Sequence, residues 1–178
     1  MAHDEHKAKA EAAIRCAVVT ASDTRDESSD ESGKLIQELL RGAGHAIASY
    51  AILKDEPDRI AAHVRELIAG HEVQAVIVNG GTGVSERDST FEAIDALLEK
   101  RLPGFGELFR MLSYQEIGSS AMLSRATCGV VRGRVVFSVP GSRAAVALAM
   151  NKLILPEIKH LVWVAKPSAK HGEKHGHR

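Results

Sequence analysis

The sequence predicts an α/β domain in which a mostly parallel sheet is covered by helices on both faces. Two observations carry this expectation. Before residue 100, short apolar runs of strand length alternate with amphipathic helical patterns at least three times, the order that builds parallel sheets from crossover units. A chain of 178 residues, 44% hydrophobic and 26% charged, also suits one domain whose core needs no cross-links.

The elements follow in order. Residues 14–20 form a short apolar run that reads as a buried strand, followed by a polar loop over 22–30. Leu35, Ile36, Leu39 and Leu40 recur at helical spacing, and Gly42 and Gly44 stop that helix. Residues 45–53 form a second strand candidate. Pro57 suits the first position of a helix whose buried face carries Ile60, Val64, Leu67 and Ile68, with Gly70 at its end. Residues 73–78 read as a buried strand that runs directly into a glycine-rich loop. A third helix carries Phe91, Ile94, Leu97 and Leu98; Pro103 and Gly104 break it, so 104–107 reads as a joint before a further helix over 105–112. Residues 117–125 show no clear period. Residues 129–139 read as two short strands around Arg132–Gly133, adding an antiparallel edge to a mixed sheet. An alanine-rich helix over 143–151 and a last helix over 155–164 complete the pattern. The expected organisation is a polar extension over 1–12, one domain over 13–165 and a flexible His-rich tail over 166–178 that is too polar to bury a face. His175 and His177 read as part of that solvated tail, since no acid or cysteine framework surrounds them.

Composition excludes several function classes. Lys plus Arg and Asp plus Glu both number 23, and this zero formal charge argues against a nucleic-acid partner or a polybasic membrane anchor. Aromatic residues make up only 4%, too few for base-stacking platforms. No apolar stretch has the length of a membrane span, and the first 13 residues lack the apolar core of a signal peptide, so the expected location is cytoplasmic. Cys16 and Cys128 belong to no short-spaced metal pair and read as reduced thiols.

Ligands of open α/β sheets bind beyond the carboxyl ends of the strands. Four polar loops follow strand candidates here, over 22–30, 54–58, 79–90 and 140–143. The richest begins Asn79, Gly80, Gly81, Thr82, Gly83. Its glycines allow close backbone approach, and successive N–H groups can wrap an oxyanion. A helix starting near Asp88 or Ser89 would aim its N-terminus at the same anion; the competing reading is a tight turn with one of them as helix cap. No Lys–Ser/Thr pair follows the glycines, and Glu86 stands where a dinucleotide motif needs its third glycine, so neither common nucleotide motif is present. Asp55 and Asp88 can each cap a helix or bind a divalent cation, and two carboxylates beside bound phosphate suit Mg²⁺. Asp23, Asp26 and Asp30 read as solvated loop acids or caps. Arg110 and Arg125 are candidate phosphate forks or surface charges. Pro140, Gly141 and Ser142 form a second candidate anion nest, or a plain cap by Ser142. His45, His63 and His71 look structural or exposed, and no nucleophile–base set is legible.

Taken together, TASDTR over 20–25, NGGTGVSERDST over 79–90, PGFGELFRMLSYQEIGSSAMLSR over 103–125 and PGS over 140–142 resemble the MoaB/MogA family of molybdenum cofactor biosynthesis proteins, with the 109–118 stretch closest to the MoaB branch. The resemblance spans roughly residues 13–165. It implies a three-layer molybdopterin-binding domain with a mixed, mainly parallel sheet flanked by helices. It further implies Mg²⁺-dependent transfer of AMP from ATP to molybdopterin with release of pyrophosphate, or a non-catalytic molybdopterin-binding or scaffold role in the same pathway. The matching positions assign catalysis and Mg²⁺ to Asp55 and Asp88. Ligand binding goes to Ser22, Asn79, Gly80, Gly81, Thr82, Gly83 and Ser89, and further to Gly104, Gly106, Glu107, Ser113, Ser124, Arg125, Pro140, Gly141 and Ser142. The implied partners are ATP, molybdopterin, further copies of the chain in a trimer or hexamer, and other proteins of the pathway.

Overall fold

The computed structural model describes residues 13–166, so the polar extension over 1–12 and the tail over 167–178, with His175 and His177, lie outside the described residues. Among the described residues six strands form one sheet: β1 (Arg15–Ala21), β2 (Ala46–Leu53), β3 (Ala75–Asn79), β4 (Lys100–Arg101), β5 (Thr127–Val131) and β6 (Arg134–Val139), in the order β2-β1-β3-β6-β5-β4. The β1–β2, β1–β3 and β3–β6 pairs are parallel, while β5 pairs antiparallel with β6 and β4. The helices are α1 (Glu31–Gly42), α2 (Pro57–Ala69), α3 (Thr90–Asp95), α4 (Pro103–Ile117), α5 (Arg143–Ala149) and α6 (Leu155–Ala165). None of the described helices is long and apolar enough to cross a membrane.

Strand side chains alternate between two faces, and this period of two splits the core into two layers. Cys16, Val18, Ile77, Val135 and Phe137 pack with Ile36 and Leu40 of α1, Phe109 of α4, Val146 of α5 and Ile158 of α6. Ala17, Val19, Val76, Val78 and Val136 pack on the other face with Ile60 and Val64 of α2 and Ile94 of α3. The result is the expected three-layer α/β fold with a mixed, mainly parallel sheet. Both cysteines are buried free thiols, and burial pushes Cys16 up to about 12, leaving it an unreactive packing residue.

Several elements differ from the sequence reading. The expected third helix is only six residues long, and the chain then forms the two-residue edge strand β4, too short to show any period. Residues 104–107 are no joint: they lie in the first turns of the single 15-residue helix α4. Pro103 opens this helix where a missing N–H costs nothing. Gly106 fits because a Cβ there would lie 2.5 Å from the Ala126 carbonyl oxygen. The segment without a clear period becomes the 3₁₀ stretch Gly118–Leu123. The Arg132–Gly133 turn has positive φ at both residues, 47° and 75°, the geometry of a tight hairpin. Its second strand, β6, is nevertheless interior, so the antiparallel edge consists of β5 and β4. A π-helical stretch, Met150–Ile154, joins α5 to α6 ahead of Pro156 instead of a break.

One buried histidine couples the fold to pH. The Ile14 N–H donates to His45 Nδ1 at 3.1 Å, which requires the neutral ring. Burial, aided by the charge of Lys159, holds the His45 pKa below its usual value of 6.5. The unfolded chain therefore takes up a proton near this pH that the folded protein refuses. The His45 contribution is fully present above the unfolded pKa and is lost as pH falls toward the folded one. The urea midpoint should drop between about pH 7.5 and about pH 5.5, and the drop should be smaller in His45→Gln. An equal drop in both proteins would remove His45 from the account.

Candidate active site

The sheet order reverses between β1 and β3: α1 leads from β1 to β2 on one side, and α2 returns the chain to β3 on the other. Such a switch point opens a crevice at the carboxyl ends of the strands. Here it is a cavity of about 520 Å³, walled by the loops that follow β1, β2, β3 and β6.

The loop after β3 shapes its floor. The chain turns through Gly80 and Gly81 with φ of 103° and 59°, the region that favours glycine. A Cβ at Gly80 would overlap the Ala21 carbonyl oxygen at the end of β1. A Cβ at Gly81 would stand 2.5 and 2.6 Å from the Asp55 carboxylate oxygens, and one at Gly83 would stand 2.7 Å from Asp88 Cγ. The space of two missing side chains is thus filled by the two acids singled out in the sequence. The Gly80 N–H donates to the Val139 carbonyl at 3.1 Å. Among the described residues no group accepts from the N–H of Gly81, Thr82 or Gly83. Three consecutive unpaired donors therefore border the cavity.

Neither acid caps a helix. Asp55 precedes Glu56, the residue at the N-cap position of α2, and accepts from the Thr90 hydroxyl at 2.7 Å. Burial raises its pKa and the charges of Asp88 and Asp23 push the same way, against the Thr90 hydrogen bond and Arg87. Asp88 accepts from the Ser85 hydroxyl and, at 3.2 Å, from the Ser85 N–H. Ser89 occupies the N-cap position of α3 without a side-chain cap bond, and the Phe91 N–H is spent on the Gly81 carbonyl at 3.3 Å. The cap by Asp88 or Ser89, the competing reading of this loop, therefore does not form, and the start of this short helix is tied to the loop. Among the described residues no group of three or more His, Cys, Asp or Glu is placed to hold a metal ion.

Asp30 follows one of its two sequence readings, as a cap, and departs from the other. It caps α1 by accepting from the Gly33 N–H at 3.0 Å, but it is fully buried, not solvated. Its carboxylate also accepts from the Thr20 hydroxyl at 2.6 Å and the Tyr50 hydroxyl at 2.7 Å, with Arg25 Nη1 at 3.7 Å. Burial pushes the Asp30 pKa up, and these hydrogen bonds with the Arg25 charge outweigh it, holding the carboxyl below its usual range. Asn79 Nδ2 donates to Thr20 Oγ1 at 2.9 Å, so this predicted ligand residue braces β1 from a buried position instead of lining the cavity.

The remaining predicted residues divide. Ser124, Pro140 and Gly141 line the cavity with Ser22, Gly80, Gly81, Thr82 and Gly83. Ser22 Oγ also accepts from the Arg25 N–H at 3.1 Å and bends its loop. Ser142 caps α5 by accepting from the Ala145 N–H at 3.2 Å. Gly104, Gly106, Glu107 and Ser113 lie on α4 and do not line the cavity; the Ser113 hydroxyl is turned back onto the Phe109 carbonyl at 2.8 Å. Arg125 is committed to the protein. It donates to the carbonyls of Thr82 (2.9 Å) and Gly83, pairs with Glu92, and stacks 4.7 Å from the Phe91 ring centroid. The guanidiniums that line the cavity are those of Arg25 and Arg87, with Asp23 ion-paired to Arg87. The sequence reading singled out neither arginine, although both lie in stretches it marked, and it read Asp23 as a loop acid or cap.

The chain is similar to known proteins over most of its length. A family model described as a probable molybdopterin binding domain matches residues 17–160. The chain belongs to the MoaB/MogA family, on its MoaB branch. The Molybdenum cofactor biosynthesis protein B of Bacillus cereus is 54% identical over 164 residues, covering 92% of this chain and 97% of the relative. A crystal structure of Molybdenum cofactor biosynthesis protein B matches with a TM-score of 0.84 at 55% identity, over 85% of this chain and 95% of that one. The tungsten cofactor synthesizing protein MoaB from Pyrococcus furiosus matches with a TM-score of 0.80 at 36% identity, over 89% of this chain and all of its own. This MoaB-branch chain is thus a protein of molybdenum cofactor biosynthesis.

The glycine contacts rank two substitutions. Gly80→Ala meets backbone that cannot retreat and takes a φ reserved for glycine, whereas Gly83→Ala meets a side chain that can rotate. Urea unfolding should show a loss of about 3 kcal/mol or more for Gly80→Ala and about 1 kcal/mol for Gly83→Ala. The reverse order would mean that the loop is not seated on Ala21.

Proposed function

We propose that the protein transfers AMP from Mg²⁺-bound ATP to molybdopterin in this cavity. The observation that carries the reading is the seating of Asp55 and Asp88 under Gly81 and Gly83, beside three unpaired backbone N–H groups. Donors for phosphate oxygen and carboxylates for a hard cation then meet at one point of the fold.

The reaction needs little covalent help from the protein. A terminal phosphate oxygen of molybdopterin attacks the α-phosphorus of ATP, the bond to the bridging oxygen breaks, and pyrophosphate leaves with that electron pair. The N–H groups of Gly81, Thr82 and Gly83 would stabilise charge developing on the non-bridging oxygens. Holding two polyanions in line supplies much of the remaining acceleration. Asp55 and Asp88 are the residues that would hold Mg²⁺. The raised pKa of Asp55 reflects burial and negative neighbours, an environment in which a cation is favourable. Bound there, the ion would offset triphosphate charge, a role for which two protein carboxylates suffice. Ser22, Ser124, Pro140 and Gly141 also line the cavity. The exposed apolar side chains Met111, Tyr114, Ile117 and Met122 support the homo-oligomer, trimer or hexamer, that the resemblance implies.

Incubation with molybdopterin, ATP and Mg²⁺ should give adenylylated molybdopterin and pyrophosphate. No product, under conditions where a known adenylyltransferase succeeds, would sink the catalytic reading and leave a non-catalytic molybdopterin-binding or scaffold role. Asp88→Asn should lower turnover on the order of 100-fold or more while molybdopterin affinity changes far less. Equal losses in both would assign Asp88 to binding or folding.

A further inference from the structure

Three guanidiniums surround the cavity loops, and their commitments differ. Arg125 gives its donors to the Thr82, Gly83 and Asp88 carbonyls and to Glu92. It organises the loop and has little left for a ligand. Arg87 lines the cavity, but its side chain is 70% exposed and ion-paired to Asp23. A ligand engaging it must break that pair and order a solvated chain, which offsets the gain.

Arg25 is placed differently. It lines the cavity, its side chain is 31% exposed, and its Nη2 donates to the Gly141 carbonyl at 2.9 Å. Its counter-charge is Asp30, which lies at 3.7 Å from Nη1, beyond hydrogen-bond reach. The Asp30 oxygens are already taken by Thr20, Tyr50 and the Gly33 N–H. The Asp30 carboxylate thus offsets the charge of the guanidinium without consuming its donors, and the Gly141 carbonyl holds it in place. The Gly141 carbonyl is itself held, since it also accepts from the Ser32 hydroxyl at 2.8 Å. A guanidinium has five N–H donors in a rigid fork, and only one is committed among the described contacts.

We infer that Arg25 is the residue that grips a polyphosphate anion in this cavity, a statement that rests on the phosphate-binding role proposed above. Arg25 is pre-oriented by Gly141 and charge-balanced by Asp30, so the anion meets a fork already in place. The N–H row of Gly81, Thr82 and Gly83 borders the same cavity and offers the complementary donors. Lysine at this position could supply charge but not the bidentate geometry.

The test uses the full chain and inorganic tripolyphosphate without metal, followed by calorimetry. Arg25→Gln should weaken binding about 30-fold, as expected for lost charge-assisted hydrogen bonds, and Arg25→Lys should restore only part of it. Arg41→Gln, which removes an equal charge near the end of α1, should change affinity less than about threefold. Because Arg25→Gln also unpairs Asp30, a second readout is taken on the wild-type protein. In arginine-labelled protein, the Nε–H resonance that vanishes in Arg25→Lys should shift on titration with tripolyphosphate. Wild-type affinity in Arg25→Gln, or an unmoved Arg25 resonance while another arginine shifts, overturns the assignment and leaves the phosphate site standing. Failure of the wild-type protein to bind tripolyphosphate, both without metal and with Mg²⁺ added, overturns both.

Discussion

Much of this site depends on one close approach, that of Gly80 to the Ala21 carbonyl at the end of β1. Parallel strands in register bring β1 and β3 together along Cys16–Thr20 and Ala75–Asn79, and the chains must part where pairing stops. Here they part without separating, because residue 80 has no side chain and takes a φ that glycine alone tolerates easily. The turn that follows brings Gly81 down onto Asp55 and Gly83 onto Asp88. Gly141, after β6, closes against Gly80 from the other side, where an added Cβ would lie 3.0 Å from the Gly80 Cα. Four loops from distant parts of the chain converge because glycines let backbone lie where side chains would stand.

A buried carboxylate holds that convergence in register. Asp30 accepts from Thr20 on β1 and Tyr50 on β2 and caps α1, while Asn79 on β3 reaches the same threonine and Arg25 reaches on to Gly141. A buried charge is costly unless its lone pairs are satisfied, and here several donors and a guanidinium meet that condition. The cost of desolvation becomes a constraint on geometry, because loss of one partner would leave the others around an under-satisfied charge.

Much of the architecture was legible because it is written in local periods. The runs at 14–20 and 73–78 alternate between two apolar layers, and helices α1 and α2 carry spaced aliphatic residues with glycine at or just beyond their ends. β4 was not legible, since two residues have no period, and Gly104 and Gly106 read as a break although they lie within the first turns of α4. Of the candidate site, the glycine loop, Asp55 and Asp88 were visible as types in polar loops after strands. Their mutual placement was not, because Gly81 and Asp55 meet across the sheet. Asp23 and Arg87 pair over 64 residues, and Arg25 matters through a carbonyl 116 residues away. Gly104, Gly106, Glu107 and Ser113 of α4 were assigned to ligand binding through resemblance, and they stand apart from the cavity.

Arg125 gives the glycine loop a sense of direction. By taking the carbonyls of Thr82, Gly83 and Asp88, it commits the oxygen atoms of the loop to one guanidinium, while among the described residues the N–H groups of Gly81, Thr82 and Gly83 stay unpaired. A stretch of glycines has no such asymmetry of its own. The twelve residues over 79–90 are therefore not a portable module: grafted onto another sheet without an arginine supplied from beyond the next helix, the same letters would form a loop of the right length with no preferred side.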